Sequence, residues 1–201
     1  MIMENFIKEI KSGDAYVENM TFDNKSVECC DFSGVDYQCV TMENCRFEKC
    51  SFDKSAFVEV KFKNCIFINC KFKSVYFKNC EISNCRFDYS DFSDSHFKET
   101  VFSETSCCFA LFSESKFENM RFSGCDMKMA VLAEVKLKHT DFSEVNLTGA
   151  DFFKTSLKNV DLSTCEIAGI TVSDNFKELK GLRLNIAQAQ DIAQVLGVKF
   201  I

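Results

Sequence analysis

The chain has 201 residues, with 23 phenylalanines, 13 cysteines, no proline and a formal net charge of −6. This length fits one domain, and the lack of proline together with only seven glycines leaves little room for a linker. The acidic balance disfavours nucleic acid as a partner. No apolar run is long enough to span a membrane and no signal-peptide pattern is present, which predicts a cytoplasmic protein without a membrane partner.

Residues 1–14 are predicted to form an N-terminal helical cap. Apolar residues recur there at helical spacing, at Ile2, Phe6, Ile7 and Ile10, with charged residues between them. A stack of repeats exposes its apolar axis at each end, and an amphipathic helix would cover it. The alternative, a helix lying on a membrane surface, is disfavoured because the segment has no basic face.

From Ala15 to about residue 175, a large apolar residue returns at every fifth position, from Val17 to Val172. A small or β-branched residue lies two positions before most of them. A period of five fits neither a helix nor a flat strand. It fits one side of a square coil, with about twenty residues per turn and turns stacked as parallel strands about 4.8 Å apart. The pattern therefore predicts an all-β protein, a quadrilateral parallel β-helix of about eight coils over residues 15–175.

This repeat resembles the pentapeptide-repeat family, whose motif is roughly small–Asp/Asn–Leu/Phe–x–x. The resemblance covers most of the chain and implies a right-handed coil. Clear copies are Ala150-Asp151-Phe152, Val160-Asp161-Leu162, Thr140-Asp141-Phe142 and Ser90-Asp91-Phe92.

Most of the cysteines fall at the small inward position of the repeat, where a thiol acts as a small buried hydrophobic group. Their abundance then reflects packing, and a reducing compartment is favoured over disulfides. The alternative is a metal site, but ladders such as Cys45, Cys65 and Cys85 run along an edge and do not converge on a point. We therefore predict no metal and no cofactor. The nine inward cysteines are Cys30, Cys45, Cys50, Cys65, Cys70, Cys80, Cys85, Cys125 and Cys165.

One coil breaks the pattern, because Cys107 stands where a large central residue is expected. Phe109 and Leu111 lie at nominally outward positions nearby. Two alternatives follow. Phe109 repacks inward to fill the axis, or it stays outside and forms a side patch with Leu111, Met129 and Val131.

Four asparagines recur at intervals of twenty, each two residues after a central residue. Stacked amides at a corner can hydrogen-bond to one another and to the turn backbone, which supports a coil of about twenty residues. They are Asn24, Asn44, Asn64 and Asn84.

Residues 176–201 are predicted to form a C-terminal helix and tail that act as a dimerisation module. Asn185 with Gln188 is a capping-box-like start, and Gly197 is a natural stop. The segment resembles the C-terminal module of Qnr-type, gyrase-protecting pentapeptide proteins at Gly181, Leu182, Leu184, Gln188, Ala189, Leu196, Gly197 and Val198. It departs from them at Ile186, where proline often opens the helix. The resemblance implies a tail-to-tail homodimer through Ile186, Ile192, Val195, Leu196, Val198 and Phe200.

Residues twenty positions apart lie on the same face of the coil, so the outward residues fall on four faces. We number the faces in chain order, so that Tyr37 lies at the centre of face 1, Met42 of face 2, Phe47 of face 3 and Phe52 of face 4. Face 4, centred on Phe32 and its successors, carries eight acidic and four basic residues, a net charge of −4; face 2, centred on Phe22, is also −4, with seven against three. Face 1 is +2, with four acidic and six basic residues. The acidic faces are predicted to bind the partner through Asp31, Asp53, Asp91, Asp94, Glu114, Glu134, Asp151, Asp141, Glu144 and Asp161.

The Qnr-type resemblance implies a DNA-mimicking protein that binds DNA gyrase or topoisomerase IV and confers or modulates quinolone resistance. Duplex DNA carries one charge per about 1.7 Å, so this rod would mimic DNA by shape and two acidic faces instead of by total charge. The alternatives are a scaffold with an unrelated partner, or an immunity protein against a gyrase-targeting toxin. No catalytic motif is present, and the two histidines, His96 and His139, lie at outward positions, so no enzyme activity is expected.

Overall fold

The computed structural model describes residues 16–199. Its body is a parallel β-helix in which each three-residue strand pairs with the strand twenty positions further along, as Tyr16 does with Asp36. The N-terminal cap predicted for residues 1–14 lies outside the described residues. Within residues 16–199, no helix is long and apolar enough to cross a membrane.

Four faces build the coil, and they differ in how regularly they pair. Faces 1 and 2 each form a seven-stranded parallel sheet, face 3 begins with three strands, and the rest of face 3 and face 4 are joined by single bridges. The five-residue period is thereby confirmed as a quadrilateral parallel β-helix. Face 1 contains Tyr16–Glu18, Asp36–Gln38, Ala56–Val58, Tyr76–Lys78, His96–Lys98, Lys116–Glu118 and Lys136–Lys138. Face 2 contains Thr21–Asp23, Thr41–Glu43, Lys61–Lys63, Glu81–Ser83, Val101–Ser103, Arg121–Ser123 and Asp141–Ser143, and face 3 contains Ser26–Glu28, Arg46–Glu48 and Ile66–Ile68.

The core is a set of aromatic stacks that run along the axis. On face 4, neighbouring rings are nearly parallel, with 4.9 Å between the centroids of Phe52 and Phe72 and 4.8 Å between Phe72 and Phe92. Rings of adjacent faces meet edge to face. Both geometries are favourable for aromatic pairs. Every central residue is buried except Leu137 and Val172, which are half-buried against the core.

The small inward residues do more than fill space. The Ser55 hydroxyl donates to the Phe32 carbonyl oxygen at 3.0 Å, and the Cys45 thiol donates to the Phe22 carbonyl oxygen at 3.4 Å. Each bond reaches back to a central residue of the preceding coil, and it gives a buried carbonyl a second partner. The sequence prediction treated these cysteines as hydrophobic groups and missed this role. The same bond is made by Cys65, Cys80, Ser95, Ser115, Cys125, Thr140 and Thr155.

Nine of the thirteen cysteines are buried, and Cys29 is exposed. Cys30, predicted to be inward, lies in the first described coil and is half-buried; Cys107 is fully buried in the axis. Burial raises the pKa of Cys125 to about 11 and that of Cys80 to about 12.

We expect a thiol reagent at neutral pH to label Cys29 rapidly and the buried cysteines only after unfolding, because burial shields their sulfur atoms from the reagent. Counting labelled sites by mass spectrometry, before and after denaturation, checks this. Rapid labelling of many sites in the native protein would show that the cysteines do not point inward.

The residue two positions after a central residue adopts a left-handed backbone conformation along the rod, except at Thr164 and Asp174. At Asn44 and Asn64 the φ angles are both 53°. Asparagine tolerates this conformation better than other non-glycine residues, which accounts for its recurrence here. The predicted amide ladder is present in part: the Asn64 amide donates to the Asn44 Oδ1 at 3.1 Å, while the Asn44 amide donates to Asp23.

The C-terminal module follows the last coil. It contains two 3₁₀ turns, Lys177–Leu179 and Ile186–Gln188, and one α-helix, α1, at Ala189–Val195. The predicted capping box is confirmed, since Asn185 and Gln188 bond reciprocally. The helix is shorter than its sequence pattern predicts, because its first turn is 3₁₀ and α1 itself covers seven residues.

Candidate interaction surfaces

The C-terminal module is fastened to the rod by backbone hydrogen bonds and by two buried side chains, Glu178, which accepts the Lys154 backbone N–H, and Gln188. The Gln188 Nε2 donates to the carbonyl oxygens of Leu162 at 2.8 Å and Cys165 at 2.7 Å. Its Oε1 accepts the Asn185 backbone N–H at 2.9 Å. These bonds satisfy carbonyl groups that the next coil would otherwise pair with. Gln188 therefore closes the open end of the β-helix.

The residues predicted to form a dimer interface fall into two groups. Ile192 and Val195 are half-buried and pack against the core of their own chain. By contrast, Ile186 is 94% exposed, and Leu196 and Val198 are each 49% exposed. Phe200 lies outside the described residues. The module thus presents a small apolar surface at the end of the rod, built from the second group.

Most of the predicted partner-binding carboxylates have partners of their own. Asp31, Asp91, Asp151 and Asp161 each accept the backbone N–H two residues further on, at 2.9–3.0 Å. Such bonds stabilise the turn. Hydrogen bonds from the Ser33 side chain and backbone lower the pKa of Asp31, and those from Ser163 lower the pKa of Asp161.

The remaining six predicted carboxylates divide evenly. Asp53 accepts the Lys73 backbone N–H, Asp94 accepts the Ser74 hydroxyl, and Glu134 pairs with Lys154 at 3.0 Å. Within residues 16–199, the carboxylates of Glu114, Asp141 and Glu144 form no ion pair and accept no hydrogen bond. All three are exposed. They are the predicted acidic residues best placed to meet a partner.

An apolar patch lies at the corner between faces 3 and 4. Phe109 is 40% exposed, and its ring stacks on Tyr89 with 5.0 Å between centroids. Leu111 and Met129 are also exposed, and Val131 is half-buried. Of the two alternatives predicted for Phe109, inward repacking and an exposed side patch, the structure therefore shows the exposed patch. The φ of Phe109, 57°, is left-handed, a conformation that costs a bulky residue about 1–2 kcal/mol.

Comparison with known proteins identifies the repeat. The family model described as "pentapeptide repeat region" matches residues 40–109 and 90–172, which together cover more than half of the chain. The chain belongs to the pentapeptide-repeat family. No curated protein sequence matches this pentapeptide-repeat protein.

Several solved structures share the shape of this pentapeptide-repeat protein at low identity. Full-length QnrB1, a plasmid-mediated fluoroquinolone resistance protein, has 15% identity and a TM-score of 0.42, with 91% of this chain and 100% of that chain covered. A trypsin-treated variant of QnrB1 has 18% identity and a TM-score of 0.47, with coverages of 92% and 97%. HetL, from the cyanobacterium Nostoc sp. strain PCC 7120, has 8% identity and a TM-score of 0.33, with coverages of 90% and 93%. Likeness at this level carries no argument about function.

The two histidines of this pentapeptide-repeat protein lie on face 1, and His139 lines a surface depression together with Asp141. His96 Nε2 is 3.6 Å from a Glu118 oxygen, and His139 Nδ1 is 3.2 Å from the Asn119 Oδ1. In the described part of the chain, no three His, Cys, Asp or Glu side chains are grouped so that they could hold a metal ion. The surfaces that remain for function are the acidic faces, the apolar end of the module and the corner patch.

Proposed function

We propose that this pentapeptide-repeat protein binds a type II topoisomerase, DNA gyrase or topoisomerase IV, as a protein mimic of duplex DNA, and so modulates quinolone resistance. The proposal rests on the C-terminal module, where the residues from Gly181 to Val198 resemble the Qnr-type module. Their positions give that resemblance a physical basis. Gly181 and Gly197 both have φ of 83°, which favours glycine, and Gln188 seals the last coil.

The acidic faces carry the negative charge that a DNA-binding groove recognises in its ligand. Faces 2 and 4 each carry a net charge of −4, and a groove built for phosphates is lined by Lys and Arg. The unpaired carboxylates of Glu114, Asp141 and Glu144 can pair with such residues without first breaking a bond of their own. Binding is proposed to take place in the cytoplasm, through a homodimer joined at the C-terminal modules.

We expect the protein to change gyrase activity in a supercoiling assay, titrated with and without a quinolone. Substituting Asp141→Asn with Glu144→Gln should raise the half-effective concentration about two- to thirtyfold, since each exposed ion pair contributes about 0.2–1 kcal/mol. The matched control is Asp36→Asn with Glu99→Gln. It removes the same charge from face 1, where both carboxylates are exposed, and it should leave the titration unchanged.

The outcomes of this assay separate the possible functions. Restored supercoiling in the presence of the quinolone supports protection, whereas inhibition in both conditions supports binding without protection. If the test and control variants lose their effect on gyrase equally, the effect depends on net charge alone. No effect at any concentration, on gyrase or topoisomerase IV, contradicts the proposal and leaves the alternative of a scaffold with an unrelated partner, which the exposed corner patch favours. An immunity protein against a gyrase-targeting toxin would be active only when the toxin is added.

A further inference from the structure

The corner patch is a continuous ladder with a defined beginning and end. At the corner position, Asn69 is followed by Tyr89, Phe109 and Met129, and the ladder ends at Gly149. The Met129 sulfur occupies the place where a Cβ of Gly149 would be, so Met129 covers the glycine. At about 4.8 Å per coil, the apolar ladder is roughly 10–14 Å long.

A second ladder runs beside the first, one position into face 4. Leu111 and Val131 bridge to each other there, and acidic residues stand at both ends, because Asp91 bridges to Leu111 and Asp151 bridges to Val131. The two ladders together form an apolar strip that wraps the corner and is bounded by carboxylates along the axis.

The buried carboxylate of Asp88 orders the segment that carries Phe109. Asp88 is almost fully buried and accepts bonds from the Arg86 Nε, the Ser106 hydroxyl and the Cys108 backbone N–H. These bonds fix the segment that leads to Phe109, and the stack on Tyr89 fixes the ring itself. A surface ordered in this way loses little freedom when a partner binds.

The charge around the patch restricts what can cover it. On faces 3 and 4, the coils that carry the strip and one further coil at each end, between residues 66 and 154, hold seven acidic and five basic residues, a net charge of −2. Two of the basic residues, Arg86 and Lys154, are paired with Asp88 and Glu134. A second copy, an anionic membrane or a nucleic acid would bring like charges together, which is unfavourable. The acidic residues are Asp88, Asp91, Asp94, Glu114, Asp126, Glu134 and Asp151, and the basic ones are Lys71, Lys73, Arg86, Lys128 and Lys154.

We propose that this corner is a docking surface for a basic amphipathic segment of a partner protein. Apolar side chains of the segment lie along the strip formed by Phe109, Leu111, Met129 and Val131. Its Lys or Arg side chains meet the carboxylates at the ends and sides of the strip.

The test uses a fluorescent helical peptide of about 18 residues, with leucines on one face and arginines on the other. Fluorescence anisotropy at physiological salt should give a Kd in the tens of micromolar for the full chain. A peptide with glutamate in place of arginine, and one with the leucine positions scrambled, should both bind at least about tenfold more weakly.

The decisive variant is Phe109→Asn with Leu111→Asp. Both replacements copy residues that the same ladders already contain, Asn69 and Asp91, so the coil should fold, and a thermal melt followed by circular dichroism checks this. Leu111→Asp makes the corner more acidic. Simple attraction between charges would strengthen binding of the basic peptide, whereas the proposal expects a loss of at least about tenfold.

The matched control is Phe176→Asn, which removes an equally exposed phenylalanine of the same left-handed conformation from the C-terminal module. It should bind the peptide as the unmodified protein does. The proposal is overturned if the basic peptide does not bind, if the corner variant binds it as well as or better than the unmodified protein, or if the control loses binding equally. Self-association that depends on Phe109 would also overturn it, in favour of a second copy.

Discussion

Replacing Phe72 by alanine is expected to lower the free energy of unfolding by about 3–5 kcal/mol. The ring is fully buried and lies between Phe52 and Phe92 in one stack, with edge contacts to Phe67 and Phe87. Each of these rings is held by its own coil, so the space left by Phe72 cannot collapse. Denaturant melts followed by circular dichroism measure the loss.

Phe153→Ala is the matched control for Phe72→Ala. Phe153 lies on the same face, but 41% of it is exposed, and the Lys154 Nζ lies 5.0 Å from the centroid of its ring. Its removal should cost less than about 1 kcal/mol. A loss below about 1 kcal/mol for Phe72→Ala would mean that the repeat register is wrong.

Leu196→Asp is expected to convert a dimer to monomers and to abolish any effect on gyrase. Leu196 belongs with Ile186 and Val198 to the apolar surface at the end of the rod. An isologous contact there would bury the aspartate of each copy without a partner, which costs about 3–5 kcal/mol or more. Light scattering at micromolar concentration gives the mass, and the supercoiling assay gives the activity.

Gln190→Asp is the control for Leu196→Asp. It adds the same charge at an exposed position in the first turn of α1, where an acidic residue is favourable, and it should leave the dimer intact. Deleting residues 185–201 is a less specific test, because it also removes Gln188 from the last coil. A monomeric unmodified protein at micromolar concentration would contradict the dimer, and a monomeric Leu196→Asp protein with full activity would contradict the role of symmetry.

The repeat predicts the fold because its signal is redundant. Phe72 is placed inward by the same phase that places Phe52 and Phe92, and that phase holds over the whole rod. The capping box of Asn185 and Gln188 is predictable for a similar reason, since it depends on residues three positions apart. Local rules and a strict period therefore suffice for the architecture.

The surfaces are harder to predict because they depend on contacts between coils. The sequence shows Asp31 and Glu114 as equivalent carboxylates, but only the structure shows that Asp31 is used by its own turn. The thiol bond of Cys45 is hidden in the same way, since its acceptor lies twenty-three residues earlier. Phe109 is outward in the repeat phase, yet the void at Cys107 also allows it to turn inward. Its stack on Tyr89 shows that it stays outside.

Along the rod, strands pair with strands twenty positions further on, so the length of the chain sets the direction in which each later residue points around the axis. Removing one five-residue unit keeps each large residue inward, so the core continues, but every residue beyond the deletion turns by a quarter of a revolution about the axis. The acidic residues of faces 2 and 4 would then no longer run straight along the rod, and the C-terminal module would point in a new direction. Only changes in multiples of twenty residues keep the surfaces aligned, so insertions and deletions act on recognition before they act on folding.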